Sequence, residues 1–133
     1  MAAPKQVIVV RKDLKMRRGK ECAQVAHASM KVFADNFSLL PRGQENAPGL
    51  WFEIDKATAE WFEGRFTKIC LSVNSEAELM AVYEAAVAAG VKTALVVDAG
   101  QTEFHGIPTP TCVAVGPDYP EKIDPITGGL TLY

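Results

Sequence analysis

The alternation of short apolar runs with helical patterns constrains the fold of this chain more than any other feature. Val7–Val10 is a continuous β-branched run, which is typical of a strand buried on both faces. Apolar residues from Gly19 to about Phe37 instead repeat at helical spacing, which predicts a long amphipathic helix. Strand patterns and helix patterns continue to alternate along the chain. It predicts an α/β fold, a three-layer α/β/α domain with a four-stranded mixed, mostly parallel sheet.

Capping and turn residues mark the remaining elements. Asp55 is a predicted N-cap for a short helix that Gly64 ends, and Ser75–Glu78 is a capping box for a helix that ends at Gly90. Strands are predicted at Thr67–Val73, Val91–Asp98 and Thr111–Val115, a helical turn near Tyr119–Ile126, and loops at 40–49 and 99–110. The last strand is expected to be antiparallel, because a connection of about a dozen residues is short for a helical crossover.

Length and charge limit the classes of function. A chain of 133 residues is the usual size of one domain, which we expect to span residues 1–133. Residues 1–20 carry seven basic residues and one acidic residue, whereas the rest of the chain carries seven basic and fifteen acidic residues. The whole chain is therefore not a general polyanion binder, but its N-terminal part can attract phosphate locally. A solvated basic terminus is the alternative interpretation.

Cysteine and histidine spacing argues against disulfides and metal sites. The three cysteines are far apart in the sequence and each has apolar neighbours, which is typical of reduced residues in a cytoplasmic protein. The two histidines have no partners at metal-ligand spacing. The N-terminal apolar run is too short for a bilayer span or a secretory signal, so we expect a cytoplasmic protein without a metal.

Candidate chemistry lies where the first and third predicted strands end, because open α/β sheets bind ligands beyond the carboxyl ends of their strands. The loop after Val7–Val10 brings Arg17, Arg18 and Lys20 to a helix N-terminus, and the third strand ends at Asp98. If these strands are parallel neighbours, Lys20 and Asp98 face each other across one crevice. A carboxylate near a cation can then activate water. The alternatives are a surface lysine and a carboxylate that caps a turn.

His27 lies two helical turns beyond Lys20, on the same face of the predicted helix. A histidine among Ala23, Ala26 and Ala28 is typical of a packed core residue, so packing and proton transfer both remain open. No serine lies in the strand–turn–helix context of a nucleophile elbow, which disfavours covalent catalysis.

Four blocks of sequence carry a resemblance to a known family. They are KQVIVVRKDLKMRRGKECAQVAHAS (5–29), VVDAGQTEF (96–104), TPTCVAVGP (109–117) and IDPITGGLTLY (123–133). The first contains a Met-x-x-Gly-Lys segment followed by Ala-Gln and His-Ala, and the second contains an Asp-Ala-Gly-x-Thr loop. In this order they resemble the archaeal and eukaryotic type (type 2) of peptidyl-tRNA hydrolase.

The resemblance implies a cytoplasmic esterase, often a homodimer, that frees tRNA by hydrolysing the ester between a stalled peptide and the 3′ end of tRNA. It implies no cofactor, no metal and no membrane partner. The catalytic positions implied are Lys20, Asp98, Thr102 and Thr111, with His27 as a secondary candidate. Substrate binding is predicted for Arg17, Arg18, Gly19 and Gln24.

The chain also departs from the family pattern. Residues 40–65 are longer and more aromatic than the usual connection, and the loop after Thr102 is rich in proline. These departures leave two alternatives open: a non-catalytic module that binds tRNA or protein on the same fold, and a hydrolase of a different small ester or amide. Trp51, Phe52, Trp61 and Phe62 either cover the core of the domain or form a dimer contact.

Overall fold

The central strand of the sheet is β1 (Lys5–Arg11), and its residues Val7–Val10 are buried on both faces, as the β-branched run predicts. The structure is a computed structural model that describes residues 2–36, 38–39, 49–101 and 103–133. The predicted loop at 40–49 lies outside the described residues except for Gly49. None of the described helices is both long enough and apolar enough to cross a bilayer.

The described elements match most of the predicted ones to within a few residues. After β1 come a 3-10 helix (Lys12–Leu14), α1 (Arg18–Ala34), β2 (Ser38–Leu39), β3 (Leu50–Trp51), α2 (Lys56–Glu63), β4 (Lys68–Val73), α3 (Glu76–Ala88), β5 (Thr93–Asp98), β6 (Thr109–Asp118), α4 (Pro120–Thr127) and β7 (Thr131–Leu132). β2 and β3 form a separate two-stranded sheet.

Within the described residues, the main sheet has five strands in the order β5-β6-β1-β4-β7. The predicted α/β class with a mixed sheet is confirmed, but the predicted number of four strands is wrong, because β7 adds a short antiparallel edge to β4. β1 and β4 pair in parallel, whereas the other three pairings of the described main sheet are antiparallel, so the expectation of a mostly parallel sheet is wrong. β6 is antiparallel to both β1 and β5, as its short connection predicts. β1 and β5 therefore point the same way, but β6 separates them, so they are not neighbours.

The two faces of the sheet carry separate hydrophobic cores. Alternate residues of β1 point to opposite faces: Val7 and Val9 pack under α3 and α4, whereas Ile8 and Val10 pack under α1 and α2. α1 lies across β5, β6 and β1 on the second face. This packing brings the start of α1 to the end of the sheet where β5 terminates.

The predicted helix caps are confirmed. The Asp55 carboxylate accepts a hydrogen bond from the Thr58 N–H at 2.9 Å, and the Ser75 hydroxyl accepts one from the Glu78 N–H at 3.1 Å. Gly90 follows α3 with a φ of 73°, the left-handed conformation that favours glycine at this position. These local signals were sufficient to locate α2 and α3.

The aromatic segment has both a buried and an exposed part. Trp61 is 1% exposed, its indole N–H donates to the Thr67 carbonyl at 2.8 Å, and its ring centroid lies 4.3 Å from that of Phe66. Phe62 and Trp51 are 42% and 53% exposed. Trp61 is therefore part of the domain core, whereas Phe62 and Trp51 expose apolar surface to solvent.

Candidate active site at the start of α1

The N-terminus of α1 has no side-chain cap in the described part of the chain. The N-cap residue is Arg17, which has no short oxygen-bearing side chain to accept from the first helical N–H groups. Gly19, in this first turn, is exposed, and a side chain there would meet nothing within 4 Å. An uncapped helix start with accessible backbone has the partial positive charge that anions bind.

Lys20 and Asp98 form an ion pair at this helix start. The Lys20 Nζ lies 3.1 Å from Asp98 Oδ1, and the two side chains are 14% and 15% exposed. Lys20 is in the first turn of α1, and Asp98 is the last residue of β5. Lys20 and Asp98 therefore lie close together, as expected. The packing of α1 on the sheet brings them together, since β1 and β5 are not adjacent strands.

Asp98 is held by donors on both carboxylate oxygens. Besides Lys20, Oδ1 accepts from the Gln24 amide at 3.3 Å, and Oδ2 accepts from the Gly100 N–H at 2.7 Å. Burial alone would raise the pKa of this carboxyl, but the Gly100 N–H, the Lys20 ammonium and the Gln24 amide together hold the pKa below its ordinary value. Asp98 is therefore an ionised carboxylate at neutral pH.

The turn that delivers the Gly100 N–H requires glycine. Gly100 has a φ of 82°, and a Cβ at this position would lie 2.4 Å from the Ile107 carbonyl oxygen. Any other residue would have to displace the backbone of the loop. The glycine of the Asp-Ala-Gly segment therefore fixes the loop so that its N–H faces Asp98.

A buried hydrogen-bond chain supports Asp98 from behind. The Thr111 hydroxyl donates to Gln24 Oε1 at 2.5 Å, and Gln24 Nε2 donates to Asp98. Thr111 and Gln24 are 0% and 5% exposed. Because its oxygen accepts from Thr111, the Gln24 amide is oriented with its nitrogen toward Asp98. Gln24, expected to bind substrate, thus lies in a buried network, and Thr111 contacts Gln24 and not the site surface.

The basic cluster divides into structural and exposed cations. Arg11 is buried and donates to Asp13 at 2.7 Å and to the Pro110 carbonyl at 3.2 Å. The Arg17 side chain is 89% exposed, with its Nε 3.7 Å from Glu103 Oε1, and Arg18 is exposed as well. Arg17 and Arg18 are therefore solvent-exposed cations that lie two and three residues before Lys20 in the chain.

His27 is exposed, which contradicts the interpretation of this histidine as a packed core residue. It lines an open groove between α1 and β5, whose other wall includes Val97. In the described part of the chain, His27 makes no hydrogen bond to Asp98 or Thr111. Thr102, the other expected catalytic residue, lies outside the described residues.

Two contacts of the site were not anticipated from sequence. The Lys20 ammonium lies 5.2 Å from the centroid of the Phe104 ring, and Glu103 pairs with Arg17. Glu103 and Phe104 both belong to the loop that follows Asp98, and their position in this loop was the one feature of the sequence that could have identified them as site residues. Across the described residues, no group of three or more His, Cys, Asp or Glu side chains is arranged to hold a metal ion.

Comparison with known proteins places this geometry in context. The model of the family described as peptidyl-tRNA hydrolase PTH2 matches residues 4–133. A peptidyl-tRNA hydrolase from Methanothermobacter thermautotrophicus is 44% identical and covers 96% of this chain and 98% of its own. A peptidyl-tRNA hydrolase from Haloquadratum walsbyi is 40% identical, and the match covers 97% of this chain and 99% of that protein. A solved structure of a protein of unknown function from Agrobacterium superposes with a TM-score of 0.56 at 10% identity, over 100% of this chain and 99% of that chain, which supports the fold alone.

Proposed function

The chain belongs to the peptidyl-tRNA hydrolase PTH2 family, and from this premise we propose how its residues carry out the reaction. The protein hydrolyses the ester that joins a peptide to the 3′ end of tRNA and so recycles the tRNA. The observation that carries the mechanism is the partly buried Lys20–Asp98 pair at the uncapped start of α1.

Asp98 orients the attacking water. Its pKa lies below the ordinary value, which makes it a weak base, and three donors already occupy its oxygens. A carboxylate has about four lone-pair sites, so one remains for a water molecule. The water oxygen bonds to the ester carbonyl carbon, the bond from that carbon to the ribose oxygen breaks, and a proton passes from water to the departing ribose oxygen.

Lys20 stabilises the negative charge that develops on the ester carbonyl oxygen. The ammonium is held near Asp98 and beside the Phe104 ring, so it needs little rearrangement when this charge forms. The first N–H groups of α1 supply further positive potential at the same place. Gln24 and Thr111 position Asp98 through their buried hydrogen bonds. For Thr102 the family motif supports a hydroxyl contact with water or substrate, and His27 stays a secondary candidate.

The function is tested by a release assay that offers peptidyl-tRNA and, in parallel, a free N-acyl amino acid ester. Release of peptide from tRNA with little cleavage of the free ester is the expected result. Cleavage of the free ester alone would support a small-ester or amide hydrolase, and binding of tRNA without cleavage would support a non-catalytic module.

The tRNA backbone is proposed to bind at the exposed cations beside the site. Arg17→Ala combined with Arg18→Ala should weaken tRNA binding and make its salt dependence shallower, by a log–log slope of roughly 0.7 to 0.9 for each phosphate that the variant no longer binds. Binding measured over a series of salt concentrations checks this result. The control is Arg65→Ala with Lys122→Ala, two exposed cations remote from Lys20 in the sequence. An unchanged slope in the Arg17 and Arg18 variant would place the nucleic acid elsewhere.

We further propose that residues 1–133 form one domain that assembles as a cytoplasmic homodimer. The cytoplasm is where the tRNA substrate of the family is used. The exposed Trp51, Phe62 and Phe66 support assembly, because apolar surface of this kind favours a protein contact. Light scattering at concentrations on the order of micromolar should give the mass of a dimer. A monomer at these concentrations would contradict the proposal of a homodimer.

A further inference from the structure

An open groove lies between α1 and the edge of the sheet, and its lining includes Val97, the residue before Asp98. This α1–β5 groove lies between residues 27–35 and Leu95–Val97 and has a volume of about 510 Å³. Val97 directly precedes Asp98, and Gln24, which contacts Asp98, lies one helical turn before His27. The lining of the groove therefore ends one residue before Asp98 on β5 and about one helical turn beyond Gln24 on α1.

The β5 wall of the groove is a sheet edge. β5 pairs with β6 on one side, and in the described part of the chain it has no strand partner on the other. An edge strand presents a row of backbone N–H and C=O groups that can pair with an extended peptide. Val97 and Met30, on opposite walls, are 50% and 56% exposed, so apolar side chains flank this row.

The charge of the groove is unsuited to phosphate. Its cation, Lys31, is paired with Asp35 at 3.1 Å, so the two charges cancel locally. The exposed Arg17 and Arg18 instead lie at the opposite end of α1. A substrate with its ester at Lys20 and Asp98 can thus place its anionic part toward the cations and its uncharged part along β5.

We infer that the α1–β5 groove binds the peptide part of peptidyl-tRNA as a strand added to the edge of β5. The inference rests on the proposed function, since it assumes that the ester lies at Asp98. Because β5 runs toward Asp98, a peptide whose C-terminal carbonyl is at Asp98 lies parallel to β5. Main-chain pairing does not depend on side chains, which suits an enzyme whose substrates carry peptides of any sequence.

The length of the groove predicts how many residues are recognised. From Asp98 back to Leu95 the strand covers about 10 Å, at a rise of about 3.3 Å per residue. An added peptide would therefore make contacts over about three or four residues. In the wild-type protein, kcat/KM for release should rise as the peptide is lengthened from one residue and reach a plateau at about four.

A substitution that fills the groove tests the same inference independently. Ala34 lies on the groove wall and is exposed, so Ala34→Trp narrows the groove without entering the core. The substrates are tRNA carrying one N-acetylated amino acid and tRNA carrying an N-acetylated pentapeptide with the same C-terminal residue. The preference for the pentapeptide substrate, as a ratio of kcat/KM values, should fall about tenfold, the loss expected when one or two net hydrogen bonds are removed. Ala85→Trp, the same exchange at an exposed position of α3 on the other face of the sheet, should leave this ratio unchanged.

The outcomes separate this inference from the proposed function. No release from either substrate by the wild-type protein would overturn the function itself. Equal rates for both substrates, with no effect of peptide length, would overturn the peptide groove and leave the function intact. An equal loss on both substrates in Ala34→Trp, with weaker inhibition by uncharged tRNA, would assign the groove to the nucleic acid instead.

Discussion

Asp98→Asn and Lys20→Ala are each expected to lower kcat for peptide release by roughly 100- to 1000-fold while the fold stays intact. A well-placed group that stabilises developing charge contributes on the order of 2.7–4 kcal/mol to the barrier, which corresponds to this loss. Asparagine has the shape of aspartate but lacks the charge that orients water and pairs with Lys20. Single-turnover release of peptide from tRNA measures the effect, and circular dichroism checks the fold.

The double variant should lose much less than the product of the two single losses, because the two side chains act as one hydrogen-bonded unit. Asp124→Asn is the matched control, since Asp124 pairs with Lys5 at 2.7 Å far from Asp98 in the sequence. The control should change the rate little. Near-full release of peptide by Asp98→Asn would show that Asp98 only caps the turn at Gly100.

Trp61→Ala should lower the free energy of unfolding by roughly 3–5 kcal/mol, the usual cost of truncating a buried aromatic residue. Trp61 is 1% exposed, its indole hydrogen bond to Thr67 would be lost, and its ring packs 6.0 Å from Phe33, centroid to centroid. The change would leave a cavity between α2 and the sheet. Chemical denaturation followed by fluorescence or circular dichroism measures the difference.

Phe62→Ala is the neighbouring control. Phe62 follows Trp61 in α2 but is 42% exposed, so its truncation should cost much less than that of Trp61. If Phe62 belongs to a dimer contact, its substitution should instead weaken association in light scattering. A small stability loss for Trp61→Ala would contradict the core interpretation of this residue.

The features that depend on short-range chemistry could be predicted from local sequence patterns. The β-branched run Val7–Val10 identified a strand buried on both faces, and alternate residues indeed enter two cores. Asp55, Ser75 and Gly90 marked helix ends because caps act on backbone groups only a few residues away. The sequence also identified Lys20 and Asp98 as residues at adjoining element ends, which the structure brings within 3.1 Å.

The tertiary structure alone decided which elements are neighbours. β6 inserts between β1 and β5, and the two-residue β7 pairs with β4, because strand order depends on the packing of distant segments. The hydrogen-bond partners of Gln24 could likewise not be predicted, since Asp98 and Thr111 are 74 and 87 residues away in sequence. The sequence left the burial of His27 open, because its alanine neighbours are typical of a packed residue, whereas the structure leaves it exposed on the wall of the α1–β5 groove. Local patterns encode the elements and their ends, but burial and side-chain partners are set by contacts between residues far apart in the chain.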